Sequence, residues 1–190
     1  MKKQILILEK TPVQIFSWKL TQIKYSQLIL MDLERQSDIK KLGLKKKYLL
    51  NSYVINLVAT WQVFIEDLLE YGVDKISKTI TEEKIIDILR ANSKEMIKRF
   101  NTPNTKNIDQ IFKTVLGINK ITTSINIEGM DLTEAKFKVN RILEIRHKIA
   151  HTGTSGEDLQ LEMNFDFMEH LLEVGKQIEE KVQIELRLKN

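Results

Sequence analysis

The stretch 50–73, LNSYVINLVATWQVFIEDLLEYGV, decides the fold class of this chain. Its apolar residues recur every three or four positions, as they do on one face of an α-helix. The stripe contains Leu50, Val54, Leu57, Val58, Trp61, Phe64, Ile65 and Leu68. A stripe this wide is buried on most sides. We therefore predict a long helix over about residues 45–73, at the centre of a group of packed helices.

The same periodicity predicts further helices on both sides of this segment. Helical spacing recurs in five more stretches, at about residues 12–39, 81–100, 108–116, 131–151 and 157–188. Thr81 is the expected N-cap of the third helix. Breaks are predicted at Gly43, at Pro103 and over residues 152–156, and residues 118–130 are predicted to form a loop with a little extended structure. Five or six helices with short connections predict an all-α bundle and a single domain over residues 1–190.

The composition excludes several classes of protein. The chain has 190 residues, and the 42% that are apolar are too many for a disordered chain. Seven Gly and two Pro are too few for the turns of a sandwich, barrel or propeller. The absence of Cys excludes a disulfide framework, a thiolate nucleophile and a Cys-based zinc site. The net charge of +4 favours anionic partners only weakly.

The N-terminus looks like the start of a signal peptide over only a few residues. Met1–Lys3 is basic and Ile5–Leu8 is apolar, but the apolar run stops at Glu9. A signal peptide needs roughly 7–15 apolar residues. No stretch approaches the roughly 20 uninterrupted apolar residues of a membrane-spanning helix. We therefore expect a soluble cytoplasmic protein that has no membrane partner.

The segment Arg146-His147-Lys148-Ile149-Ala150-His151 contains two of the three His residues. At about 100° per residue, one face of this predicted helix is an apolar stripe formed by Ile142, Ile145 and Ile149. The opposite face is polar and carries Asn140, Glu144, His147 and His151. Arg146 projects from the flank between the two faces, and its long side chain can reach toward His151.

Three interpretations of this polar face remain open from the residues alone. The two His can simply be cations near a helix C-terminus, where the helix dipole favours them. They can bind a metal from positions i and i+4, with Glu144 as the nearby third ligand. They can also carry acid–base chemistry on a phosphodiester, because His exchanges protons near neutral pH and Arg binds phosphate oxygens through two parallel hydrogen bonds.

The Arg-His-x-x-x-His pattern in the penultimate predicted helix resembles the Arg-φ-x-x-x-His signature of the HEPN superfamily, where φ is usually Asn, Asp or His. Three further stretches resemble the RiboL-PSP-HEPN branch of that superfamily, and the similarity spans roughly residues 40–175. These are residues 58–69 (VATWQVFIEDLL), residues 100–118 from Phe100-Asn101-Thr102-Pro103-Asn104 onward, and residues 145–153 (IRHKIAHTG). Gln62 departs from the pattern, since an acidic residue is expected after the Trp, and Glu66 is the candidate substitute.

The resemblance implies a HEPN-like bundle and a metal-independent endoribonuclease that needs no cofactor. Attack by a ribose 2′-OH would leave a 2′,3′-cyclic phosphate. His151 would act as general base or acid, Arg146 would bind the scissile phosphate, and His147 would orient its neighbours. Asn140 and Glu144 would support the imidazoles, and Lys148 would contact RNA.

The resemblance also implies a biological setting. It predicts a homodimer with a composite active site, a toxin or antiviral defence role, and control by an antitoxin or a sensor protein. The alternative is a non-catalytic HEPN-type module that binds RNA or serves as a scaffold within a larger complex.

Several other residues have two interpretations each. The basic cluster Lys40, Lys41, Lys45, Lys46 and Lys47 suits either an RNA contact or a solvated corner between helices. Trp61 and Phe64 could stack on bases, but their spacing favours core packing. His170 has no partner in the sequence pattern and is expected to be structural or exposed.

Overall fold

The computed structural model describes residues 10–36 and 40–187, which form helices and no strand. The six α-helices of this described part are α1 (Pro12–Glu34), α2 (Leu42–Ser77), α3 (Glu83–Lys98), α4 (Thr105–Leu116), α5 (Leu132–Thr152) and α6 (Leu161–Glu185). A short 3-10 helix, Ile121–Ser124, lies between α4 and α5. The predicted all-α bundle of five to six helices is confirmed.

Helix α2 is the centre of the bundle, as its apolar stripe predicts. It contacts each of the other five α-helices. Trp61 and Phe64 are buried in the core, where both rings pack against Phe16 of α1. Core packing is therefore the correct interpretation of these two aromatic residues.

Helix α2 is also longer than its sequence predicts, because neither of its glycines ends it. Gly43 lies in the first turn, and Gly72 lies well inside the helix. Gly72 permits a close approach to α4: a Cβ atom at this position would lie 2.7 Å from Leu116 Cδ1. Gly72 is therefore needed for the packing of α2 against α4, and it does not form a turn.

Length and composition alone would also suit α2 to a membrane span. However, half of the most apolar 18-residue stretch of α2 is buried inside the bundle. Burial by the surrounding helices is the property of a core helix, and it explains the apolar composition of α2 without a lipid environment.

The structure corrects the predicted starts of three helices. Thr81 does not cap α3, because its hydroxyl donates a hydrogen bond to the Glu82 side chain, and Glu82 is the N-cap residue. Helix α4 starts at Thr105, three residues earlier than expected, because Asn104 caps it by accepting a hydrogen bond from the Asn107 N–H. Helix α6 starts at Leu161 and not at residue 157.

The predicted loop at 118–130 contributes to the core. It contains the 3-10 helix, an extended backbone at Ile125, and no strand within the described residues. Ile121 and Ile125 are buried. The Asp109 carboxylate accepts hydrogen bonds from the Thr122 N–H at 2.8 Å and from its hydroxyl at 2.9 Å. These bonds offset the free-energy cost of burying the polar groups of Thr122, and they hold the 3-10 helix against α4.

Helix α5 carries the Arg-His segment, and its first turn is defined by a capping box. The Asp131 side chain accepts from the Glu134 N–H, and the Glu134 side chain accepts from the Asp131 N–H. Its predicted apolar stripe is buried, as expected, and consists of Ile142, Ile145 and Ile149.

Polar contacts hold α5 against α6 and against the segment that precedes α6. Lys138 forms an ion pair with Asp166 at 2.6 Å, and Arg141 forms one with Glu157 at 2.6 Å. His170 of α6 is buried, and its Nε2 lies 2.9 Å from the Ala135 carbonyl oxygen. His170 is therefore structural.

Some predictions fall on parts of the chain that are not described. The basic and apolar start, Met1–Leu8, lies outside the described residues. The same is true of the predicted end of the first helix at Ile39 and of the last helix at Leu188.

Candidate functional site

The two imidazoles of α5 lie side by side on the surface. His147 and His151 are exposed, and their ring centroids are 4.2 Å apart with an angle of 54° between the ring planes. Arg146 is half-buried, on the flank between the core face and the polar face. In the part of the chain that the structure describes, none of these three side chains has a hydrogen-bond or ion-pair partner. Two imidazoles and a guanidinium are therefore available to an external ligand.

The end of α5 that carries His151 is fixed by its cap and by α2. Gly153 adopts the left-handed conformation with φ of +74°, which favours glycine, and its N–H donates to the Ile149 carbonyl at 2.9 Å. Asn51 of α2 donates from Nδ2 to the Gly153 carbonyl at 3.3 Å. The Thr152 hydroxyl donates to the Lys148 carbonyl at 2.8 Å. These bonds place His151 on an ordered helix end.

A groove of about 470 Å³ runs beside His147, and we call it the 102–148 groove. One wall belongs to α5, and the other belongs to the segment before α4 and to the first turn of α4. Its lining residues are Thr102, Asn104, Lys106, Asn140, Leu143, Glu144, His147 and Lys148. A ligand that fills this groove would lie against His147, one of the two adjacent imidazoles.

The wall that faces α5 is held in place from the core. Trp61 donates from its buried indole N–H to the Pro103 carbonyl at 3.0 Å. Gln62 donates from Nε2 to the Phe100 carbonyl at 3.2 Å and to Glu66 Oε1 at 2.9 Å. A carboxylate at position 62 has no proton to donate to either acceptor. Gln62, which stands where the family pattern leads us to expect an acidic residue, therefore anchors this wall through its amide N–H groups.

Asn140 joins the two walls. Its Oδ1 accepts hydrogen bonds from the Thr105 N–H at 3.0 Å and from the Thr105 hydroxyl at 3.2 Å. Thr105 is the first residue of α4, so its N–H has no partner within that helix. The amide of Asn140 is engaged in this cap and not with the imidazoles.

The other predicted supporting residues lie beside the imidazoles without binding them. Glu144 is exposed on the polar face, and within residues 10–36 and 40–187 it forms no hydrogen bond or ion pair with either His. Lys148 lines the groove and extends toward the next loop, because a Cβ at Gly156 would lie 3.2 Å from its Cδ.

No group of three or more His, Asp or Glu side chains is arranged to hold a metal ion among the residues that the structure describes. The nearby carboxylate of Glu144 does not complete a set of ligands with His147 and His151.

Part of the basic cluster lies across the loop that follows α5. Lys46 and Lys47 line a second cavity of about 660 Å³ with residues 154–160. Lys46 donates to Glu34 at 2.8 Å, and this hydrogen bond raises the pKa of the Lys46 ammonium above its usual value. Lys46 therefore already has a carboxylate partner within the chain.

Comparison with known proteins identifies the family. A protein-family model described as RiboL-PSP-HEPN matches residues 21–184. The chain belongs to the RiboL-PSP-HEPN family. The match includes every residue of the Arg-His segment and of the groove. No curated protein and no solved structure matches the chain.

Membership of the RiboL-PSP-HEPN family indicates a nuclease or RNA-related role. The sequence motif located α5 and its imidazoles, but it did not locate Thr102, Asn104 and Lys106, which form the facing wall. The sequence marked residues 101–105 as a break between helices and as part of a stretch that resembles the family, but not as a wall of the site.

Proposed function

We propose that this RiboL-PSP-HEPN protein is a metal-independent endoribonuclease. The observation that carries the proposal is the adjacent pair of exposed imidazoles, 4.2 Å apart, with Arg146 beside it. Within the described part of the chain, these three side chains have no internal partner. This combination offers proton transfer and phosphate binding on one surface.

The proposed reaction is an internal transfer at phosphorus. The ribose 2′-oxygen bonds to the adjacent phosphorus, and the bond from phosphorus to the 5′-oxygen breaks. One imidazole removes the 2′-OH proton, and a protonated imidazole gives a proton to the leaving 5′-oxygen. The products are a 2′,3′-cyclic phosphate and a 5′-OH. DNA is not a substrate, because it lacks the 2′-OH.

Three residues of the segment have separate roles in this proposal. His151 acts as general base or general acid. Arg146 binds the scissile phosphate and stabilises the charge that builds up on its oxygens. His147 orients the phosphate and its neighbouring imidazole.

We further propose that two copies of the chain share one cleft, with the two Arg-His segments facing each other. The segment of the second copy then supplies the opposite proton transfer. The chain has no Cys, so Ala150→Cys would introduce a single exposed thiol next to His151. A short bismaleimide should crosslink two copies through position 150 but not through the exposed Asn92→Cys on α3. Crosslinking at both positions or at neither would count against facing segments.

We propose a cytoplasmic role as a toxin or antiviral defence effector, controlled by an antitoxin or a sensor protein. Expression of the wild type should arrest bacterial growth, and His151→Ala should relieve the arrest. A wild type that is harmless would favour a non-catalytic role in RNA binding or as a scaffold.

The direct test of the activity is cleavage of purified RNA in EDTA. We expect His151→Ala to lose about 100-fold or more in rate, the usual contribution of a general acid or base. Arg146→Ala should lose a similar factor through weaker charge stabilisation.

Arg99→Ala is the matched control for the loss of a positive charge. Arg99 lies next to α3, which carries none of the candidate residues, and it is exposed and paired with Glu95. Its rate should equal that of the wild type. Equal cleavage by wild type and His151→Ala would refute the proposal, as would a wild type that cleaves no RNA.

A further inference from the structure

Glu144 is a carboxylate without a partner beside the proposed reaction site. A Glu and a Lys at positions i and i+4 of a helix lie close enough to pair, and Lys148 occupies that position. Here the Lys148 side chain lies along Gly156, and no ion pair forms between the two residues. In the described part of the chain, no other cation and no hydrogen-bond donor binds the Glu144 carboxylate.

The 102–148 groove gives this carboxylate a defined setting. Glu144 and His147 share one wall, Lys106 lies on the opposite wall, and Leu143, which is only 8% exposed, contributes a small apolar surface. A volume of about 470 Å³ is within the range of small-ligand sites, roughly 300–1,000 Å³. Because His147 borders the groove, an RNA strand whose phosphate contacts the imidazoles would place a neighbouring nucleotide within it.

A carboxylate in an RNA groove repels phosphate and attracts hydrogen-bond donors. Single-stranded RNA presents such donors on the Watson–Crick edges of its bases. Guanine offers two adjacent donors, N1–H and the N2 amino group, which match the two oxygens of one carboxylate. Uracil has one N–H between two carbonyl oxygens, and adenine and cytosine have one amino group beside a ring-nitrogen acceptor.

We propose that the 102–148 groove is a base-recognition subsite that selects guanine next to the cleaved phosphodiester. Glu144 accepts hydrogen bonds from guanine N1–H and N2–H. Lys106 binds a phosphate on the facing wall. This assignment rests on the proposed function, because the imidazoles define which phosphate is cleaved.

The first test uses DNA oligonucleotides that contain a single ribonucleotide, so that only one linkage can be cleaved. All sixteen combinations of the bases on the two sides of that linkage are compared. We expect guanine on one of the two sides to raise the rate about tenfold or more, as good bidentate pairs do. Glu144→Gln should abolish this preference while retaining cleavage of the other sequences.

Glu180→Gln is the matched control. Glu180 is exposed on α6, it has no partner among the described residues, and its substitution removes the same charge. This variant should keep the guanine preference. A wild type that cleaves all sixteen sequences at equal rates would overturn the assignment, as would an unchanged preference in Glu144→Gln.

A binding measurement separates this assignment from the proposed activity. Fluorescence anisotropy with His151→Ala protein compares pentanucleotide RNAs that differ at the central base. Tighter binding of the guanine oligonucleotide, lost when Glu144→Gln is added, would support the subsite even if the wild type proved inactive. Equal affinity for the four bases would refute it even if the wild type cleaved RNA.

Discussion

Asn140 should contribute to stability as a cap from another helix and not as a catalytic group. Its Oδ1 accepts hydrogen bonds from the N–H and the hydroxyl of Thr105, at 3.0 and 3.2 Å. Thr105 is buried at 8% exposure, so water cannot readily replace the lost acceptor in Asn140→Ala. Asn140→Asp keeps an acceptor and places a negative charge at the N-terminus of α4, which the helix dipole favours.

The size of the stability loss in Asn140→Ala follows from the Thr105 N–H, which is left without an acceptor. A buried donor whose acceptor is removed costs about 1–3 kcal/mol. We therefore expect Asn140→Ala to lower the free energy of unfolding by about 2 kcal/mol, and Asn140→Asp to change it by less than about 0.5 kcal/mol. For a chain of this size, the loss corresponds to about 4–8 °C in Tm.

Urea denaturation followed by circular dichroism measures these differences. Asn92→Ala is the control, because Asn92 is exposed on α3 and has no side-chain partner among the described residues. RNA cleavage should survive in Asn140→Asp. An Asn140→Ala variant as stable as Asn92→Ala would refute the capping role. A stable but inactive Asn140→Asp would assign Asn140 to the reaction.

Two further predictions concern packing and pH. Gly72→Ala should cost about 1 kcal/mol in urea denaturation, because its Cβ would lie 2.7 Å from Leu116 Cδ1. A Cβ at Gly43 would have nothing within 4 Å, so the control Gly43→Ala should raise the free energy of unfolding by about 0.5 kcal/mol. A Gly72→Ala variant as stable as Gly43→Ala would contradict this packing. Burial lowers the pKa of His170 below its usual value of 6.5, so the unfolded chain binds the proton first as the pH falls. Stability should therefore decrease below about pH 6.5 by at most about 1.4 kcal/mol per pH unit, and urea denaturation of His170→Gln should show a smaller decrease.

The sequence predicts the fold well where periodicity acts over many residues. The stripe of α2 is long enough to identify the central helix without any tertiary information. Single-residue signals are weaker. The helix predicted over about residues 45–73 would end next to Gly72, but α2 continues to Ser77, and the glycine serves the close approach of α4 instead. Thr81 is a residue type that often caps helices, yet its hydroxyl binds the Glu82 side chain instead.

Part of the candidate site could likewise be predicted from helical spacing, and part of it could not. Helix geometry alone places His147, His151 and Glu144 on one face of α5, because their spacing fixes their angular positions. The facing wall of the groove depends on the bond from Trp61 to the Pro103 carbonyl, which joins residues 42 positions apart. A contact between such distant residues leaves no periodic signal in the sequence, so the groove becomes visible only in the structure.

The most direct test of the central claim is the chemistry of the cleaved end. A DNA oligonucleotide with one ribonucleotide is incubated with the protein in EDTA, and the products are weighed by mass spectrometry. The proposed mechanism predicts a 2′,3′-cyclic phosphate at the ribonucleotide, a 5′-OH on the other fragment, and a reaction about 100-fold or more slower with His151→Ala. An intact oligonucleotide, a 5′-phosphate product, or equal cleavage by His151→Ala would contradict it.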